Sequence, residues 1–232
     1  FVDEAKSYDE SVWQAGFAAT ASLNYKIDEN SSAYIKFDQI FRYPSTDEIA
    51  LYQSWGTISN IKFNKDLKPE TGQNIGYKYL GKRLNINASL YALFLHDEIM
   101  YFPRATPGGD TVNDNVPDTM RLGADLYASY NFGIFGIYSG ASLVDARFIA
   151  GEYDGCEIPM VPWFNCFAGI FVNPTDFVTI TVQTNCASTQ YQSSDLGNEL
   201  MKMPDYVTLD IRLNIRITEY ASAFFAVDNV LD

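Results

Sequence analysis

The chain has 232 residues, 47% of them hydrophobic, and its 29 acidic against 16 basic side chains give a formal net charge of -13. No run approaches the ~18 apolar residues of a membrane-spanning helix, residues 91–95 making a run of only five, so a helical membrane protein is excluded. A balance this acidic also argues against nucleic acid, which is bound through Lys and Arg.

The opening residues carry Asp3, Glu4, Lys6, Asp9 and Glu10, so 1–11 read as an acidic lead-in or loop. From there period two takes over. Trp13, Ala15, Phe17, Ala19, Ala21, Leu23, Tyr25 and Ile27 alternate with Gln14, Gly16, Ala18, Thr20, Ser22, Asn24 and Lys26. Further on, Leu122, Ala124, Leu126, Ala128, Tyr130 and Phe132 alternate with Arg121, Gly123, Asp125, Tyr127, Ser129 and Asn131. Val207, Leu209, Ile211, Leu213, Ile215 and Ile217 do the same against Thr208, Asp210, Arg212, Asn214 and Arg216. Successive strand side chains point to opposite faces, so each segment is a strand with one apolar and one polar side. No segment shows comparable helical periodicity.

Ten strands are expected, at about 12–27, 32–41, 72–80, 84–100, 119–132, 134–146, 162–173, 177–191, 204–217 and 219–229. The sixth alternates least cleanly. Several reach the length of ~9–11 residues with which a tilted strand crosses a bilayer. Tight turns at 28–31, 81–83, 131–133, 173–176 and 218–219 are rich in turn formers, and long links at 42–71, 101–118, 147–161 and 192–203 alternate with them. In a meander this collects the turns at one end and the loops at the other. Aromatics sit near strand ends: Trp13, Tyr25, Tyr101, Phe102, Trp163 and Tyr220. The expected fold is therefore all-β, an antiparallel up-and-down transmembrane β-barrel segment of about ten strands. A soluble β-sandwich is the alternative that the same alternation permits.

The residues support no catalysis: there is no G-x-S-x-G, no H-E-x-x-H and no phosphate-cradling loop. Asp97 and Glu98 are neighbours on an expected strand and would face opposite sides, a poor acid–base pair. One histidine, His96, and three cysteines without a C-x-x-C pair give no metal site, and no cofactor is indicated. Gly108-Gly109-Asp110 reads as a loop turn. Cys166 and Cys186 fall on the apolar face of neighbouring strands; with the hairpin centred near Thr175, Cys166 opposes about residue 184. Two separate small residues are expected in preference to a disulfide, and Cys156 is left without assignment. The long-loop end is acidic: residues 96–118 set Arg104 against Asp97, Glu98, Asp110, Asp114 and Asp118.

A set of short blocks then occurs in order. Phe41-Arg42-Tyr43-Pro44-Ser45-Thr46-Asp47-Glu48 resembles the F-R-x-P-x-x-x-E block of TonB-dependent receptors of Gram-negative outer membranes, and Asn64-Lys65-Asp66-Leu67-Lys68-Pro69-Glu70 resembles their N-x-x-L-K-P-E block. Asp97-Glu98-Ile99 matches D-x-I. Asn115 with Arg121-Leu122-Gly123-Ala124-Asp125 resembles N-x-x-x-x-x-R-x-G-x-E, with Asp for Glu. Met203-Pro204-Asp205-Tyr206 with Asp210, and Val227-Asp228-Asn229-Val230-Leu231-Asp232, resemble the closing blocks. Asn74-Ile75-Gly76-Tyr77 lacks the usual glutamate.

The resemblance implies a partial receptor barrel over 1–232, a fragment lacking the plug domain and the last strand, in the outer membrane of a Gram-negative bacterium. It implies an uptake receptor, not an enzyme, for a scarce ligand such as a siderophore, cobalamin, metal chelate or glycan. Its partners would be outer-membrane lipid, the plug and TonB, the last two outside this chain. Arg42, Pro44, Glu48, Leu67, Lys68, Pro69, Glu70, Arg121, Gly123, Asp125, Asp210 and Asn229 would be structural motif residues, and Lys78, Asp125, Asp210, Arg212 and Arg216 would face the plug. Ligand-binding residues are not assigned. A small porin-like barrel closed by ten strands is the membrane alternative.

Overall fold

The computed structural model describes residues 15–29, 31–45, 50–51, 62–63, 70–80, 84–103, 111–193 and 195–231. Within them lie fourteen strands: β1 (Ala19–Lys26), β2 (Ser32–Arg42), β3 (Ala50–Leu51), β4 (Lys62–Phe63), β5 (Glu70–Leu80), β6 (Leu84–His96), β7 (Ile99–Pro103), β8 (Thr111–Asn115), β9 (Thr119–Asn131), β10 (Phe135–Phe148), β11 (Phe164–Thr175), β12 (Val178–Ala187), β13 (Tyr206–Arg216) and β14 (Ser222–Val227). Ten of them form one antiparallel sheet in the order β1-β2-β5-β6-β9-β10-β11-β12-β13-β14, while β3–β4 and β7–β8 are separate hairpins within the long loops. Among the described residues β1 and β14 are not paired with each other, so the ten strands form an open sheet, not a closed small barrel.

All ten expected strands are present, with altered ends. The first starts at Ala19, and residues 15–18 lie outside it. The fourth stops at His96 because Asp97 turns the backbone into the left-handed region at φ 54°, so Asp97 and Glu98 are not strand neighbours. The sixth, β10, is the longest at 14 residues. Its pattern is blurred by Gly136, Ser139, Gly140, Ala141 and Ser142, but ladders on both sides hold it, to β9 and to β11. The eighth ends at Ala187, where Ser188 donates its N–H to the Phe164 carbonyl at 2.9 Å and its Oγ accepts the Phe164 N–H at 3.1 Å.

The pairing sorts side chains onto two faces. Leu90, Ala124, Leu143 and Phe164 stand in one cross-strand row, and Leu23 faces Ile35. This apolar face is bare: Leu23 is 72% exposed, Leu90 63%, Ile170 52% and Phe225 63%. A sandwich would bury these residues under a second sheet, so the sandwich alternative is not what folds. The opposite face carries rows such as Ser89, Asp125, Ser142 and Asn165.

Packing concentrates at the long-loop end. Val116, Ala146, Phe148, Ile158 and Leu196 form a buried cluster, with Met100, Val144, Tyr153, Cys156 and Val161 against it. Ala146 and Phe148 pair with Arg121 and Thr119, in the same alternate set as Asp125, so this core sits on the polar side of the sheet. Burial of Phe148 alone contributes roughly 2–3 kcal/mol. At the other end, Tyr130, Phe132 and Phe135 pack together, with ring centroids 4.5 and 4.7 Å apart.

The cysteine expectation is overturned. Cys166 and Cys186 are directly opposite, with Cα atoms 5.2 Å apart, and are joined as a disulfide; Cys156 is free. The turn is centred between Asp176 and Phe177, not on Thr175, since Thr175 pairs with Val178. An unbroken ladder from there would set Cys166 against Ala187, and the one-residue register shift between Val172 and Thr175 brings Cys186 opposite instead.

Candidate functional site

The rim is built where β6 ends and β9 begins. Asp97 reverses the chain, and its carbonyl accepts the Asn115 side-chain amide at 2.6 Å, while Val116 donates its N–H to the Glu98 carbonyl at 2.7 Å. Glu98 is thereby held over the start of β9. Its carboxylate accepts two guanidinium N–H groups of Arg121, at 2.7 and 3.1 Å, and the Thr119 hydroxyl at 2.7 Å. The Arg121 and Glu98 side chains are only 17% and 13% exposed. A two-pronged, poorly solvated pair of this kind is among the stronger charge-assisted contacts. His96 Nδ1 lies 2.9 Å from Asp118 Oδ1 on the exposed side of the same junction.

Two further loops lock together beside it. The Asn198 side chain imitates a strand: its amide donates to the Glu157 carbonyl at 3.0 Å and its oxygen accepts the Glu157 N–H at 2.6 Å. Lys202 Nζ reaches Glu157 Oε2 at 2.7 Å and lies over the Tyr191 ring at 4.5 Å. The buried carboxylate of Asp195 accepts the N–H groups of Glu199 and Leu200 at 2.8 and 2.9 Å. Burial, and next the adjacent Glu152, push the Tyr153 phenol above its ordinary range. The loops thus form a packed collar, and acidic groups there are largely spent on internal bonds.

Along the polar face Asp38 pairs with Lys36 at 2.9 Å, whereas Asp125 and Asp210 are satisfied by neutral donors. Asp125 accepts the hydroxyls of Ser142 at 2.7 Å and Ser89 at 3.3 Å. Around it lies a concavity of about 450 Å³ that includes Tyr34, Asn87, Tyr127, Asn165 and Phe167. Asp210 accepts the Asn185 amide and the Asn229 backbone N–H, both at 2.9 Å. Asn229 sits at φ 53°, so Asp210 fixes the reversal after β14. Arg212 lies 3.9 Å from Asp228, and Arg216 donates to the Asp176 carbonyl. Gly123 is required by Tyr91, whose ring occupies the space a Cβ would need.

Of the residues expected to matter, Arg121, Gly123 and Asp125 share the alternate set of β9 that faces the polar side, and Asp210 and Asn229 meet. Arg42 is opposite Glu70 in the β2–β5 register, and Pro44 is buried beyond the end of β2. Glu48, Leu67, Lys68 and Pro69 lie outside the described residues, as does the turn at 108–110; the side chain of Lys78 is likewise not described. Glu98 was read only as a poor acid–base partner of Asp97 and as loop charge, and no role was expected of Asn198 or Asp195. Glu98 occupies the variable place of D-x-I, and the other two stand in a loop with no periodicity to mark them.

A family model described as TonB dependent receptor-like, beta-barrel, matches residues 2–230. No curated protein sequence matches the chain. Among solved structures, the copper transporter OprC superposes with a TM-score of 0.69 at 19% identity, over 91% of this chain and 33% of that one. The ferric yersiniabactin uptake receptor FyuA from Yersinia pestis gives 0.67 at 18%, over 92% and 32%. The siderophore receptor PirA from Acinetobacter baumannii gives 0.67 at 14%, over 93% and 37%. The chain spans about a third of the length of these structures.

Proposed function

The chain belongs to the TonB-dependent receptor-like β-barrel family, and on that premise we propose that it forms wall and rim of an outer-membrane uptake receptor. The observation that carries this reading is the two-sidedness of one sheet. Its apolar face is bare on the strands whose side chains are described, and its polar face carries hydrogen-bonded carboxylates and a packed collar at one end. A bare apolar face suits hydrocarbon, and antiparallel strands satisfy the backbone there.

The polar face would receive the plug. Asp125 and Asp210 have hydroxyl, amide and backbone donors and no basic side chain within ion-pair distance among the described residues. Basic or hydroxyl groups of a plug domain would complete them. The ligand would be a siderophore, cobalamin or another metal chelate, or a glycan. Relatives named as a copper transporter and siderophore receptors favour metal or a metal chelate. TonB would supply the energy for its entry.

The test is ligand-limited growth of a strain relying on the complete protein, with iron chelates, copper, cobalamin and glycans offered singly. Uptake of one of them should require both this protein and TonB, and the protein should fractionate with outer membrane. Recovery in the water-soluble fraction, or uptake that survives loss of TonB, would sink the proposal.

A further inference from the structure

The β11–β12 hairpin is ambiguous in register. On the apolar face Cys166, Ala168, Ile170 and Val172 meet Cys186, Thr184, Val182 and Ile180. Because strand faces repeat every second residue, sliding β12 by two keeps small or apolar side chains opposite one another. The turn does not decide between the alternatives by its length. Thr175 pairs with Val178 across the turn, and an unbroken ladder from that pair would set Cys166 against Ala187. A one-residue irregularity sets Cys186 opposite when the extra residue is on β11, as observed, and would set Ser188 opposite were it on β12.

Register has a consequence at the rim. Residues 149–163 lead into β11 and residues 188–205 lead out of β12, and these are the loops joined by Glu157, Asn198 and Lys202. A two-residue slip displaces their roots by about 6.6 Å. That is about twice the length of a hydrogen bond, so none of the junction bonds survives it.

We propose that the Cys166–Cys186 disulfide is a register lock, which selects the pairing of β11 with β12 during assembly so that the two rim loops meet at Glu157 and Asn198. The Cα atoms of this directly opposite pair are 5.2 Å apart, and the bond closes readily only where the two cysteines face one another. Closure is thiol–disulfide exchange. The Cys166 and Cys186 thiols give up two electrons and two protons to an oxidising disulfide, which leaves as two thiols.

The test uses the complete protein with Cys156→Ser, assembled in an oxidising periplasm. Two variants move the partner cysteine: Cys186→Ser with Thr184→Cys, and Cys186→Ser with Ser188→Cys. In the observed register 184 and 188 lie two residues to either side of 186, so fluctuation links Cys166 to both alike, whereas a hairpin slipped about the observed turn brings only 188 opposite. The crosslink from Cys166 to position 188, read by non-reducing mass spectrometry, should exceed the crosslink to position 184 by about fivefold or more. A rim crosslink between Glu157→Cys and Lys202→Cys should fall by about half or more when Cys166 and Cys186 are both replaced by serine. Parity in either measurement means that turn and neighbouring strands set the register, and overturns the proposal. If the serine variants do not accumulate, wild-type protein assembled under dithiothreitol is the substitute. Its rim should be cut by trypsin at Lys202 faster than the oxidised form, and equal rates count against the lock.

Discussion

Arg121 grips Glu98 with both prongs of its guanidinium, Nη2 to Oε1 at 2.7 Å and Nη1 to Oε2 at 3.1 Å, across the break between β6 and β7. Thr119 adds a third bond to the same carboxylate. Arg121→Ala leaves a poorly solvated carboxylate without its cation and should cost the assembled protein about 2–4 kcal/mol. Arg121→Lys keeps the charge but cannot make the fork, so it should fall between wild type and the alanine variant. Urea unfolding in detergent measures both. A lysine variant as stable as wild type would show that charge alone matters.

On β9, Gly123 is filled by the Tyr91 ring from β6. A glycine inside a strand gives up packing and backbone order, and here an aromatic from the neighbouring strand covers the gap. Gly123→Val should push the ring off the wall and cost about 1–3 kcal/mol. Adding Tyr91→Ala should recover a large part of that loss. A double variant no better than Gly123→Val would show that the ring is not what the glycine accommodates.

Most strands were legible because they alternate over enough residues to mark a strand, as 206–217 does, β10 with its run of small residues being the exception. Register was less so. The turn lies between Asp176 and Phe177, beyond the expected centre at Thr175, and the one-residue irregularity between Val172 and Thr175 carries no sequence mark. Together they displaced the expected partner of Cys166 by two residues and hid the disulfide. The rim was legible only where a charged residue stood in a recognisable block. Arg121 could be picked out, but its partner Glu98 required knowing that Asp97 turns left-handed. Asn198 gave no signal, since its role depends on a neighbour 41 residues away.

That role is testable separately from its backbone. Asn198 sits at φ 57° and makes two bonds to the Glu157 backbone. Asn198→Gly keeps the conformation and deletes the bonds, which should loosen the loop pair by about 1–2 kcal/mol. Asn198→Ala adds the left-handed strain, about 1 kcal/mol more. Amide hydrogen exchange at Glu157 reports the change directly. Unchanged protection in Asn198→Gly would assign the junction to Lys202 and the apolar cluster instead.

The collar should also respond to alkaline pH through Tyr153. Its phenol is raised above the ordinary value by burial first, then by Glu152 and Glu199. An acid raised in the folded state binds its proton more tightly there than in the unfolded chain. Its contribution is therefore complete below the unfolded value of about 10 and is lost as pH climbs through the folded one. Tyr153→Phe cannot ionise and keeps the ring against Phe148, 5.6 Å away between centroids. Between pH 8 and 11 the wild type should therefore lose melting temperature faster than Tyr153→Phe, with the curves separating only above about 10. Curves that stay parallel to pH 11 would mean that the phenolate is solvated in the folded protein and that the collar does not close over it.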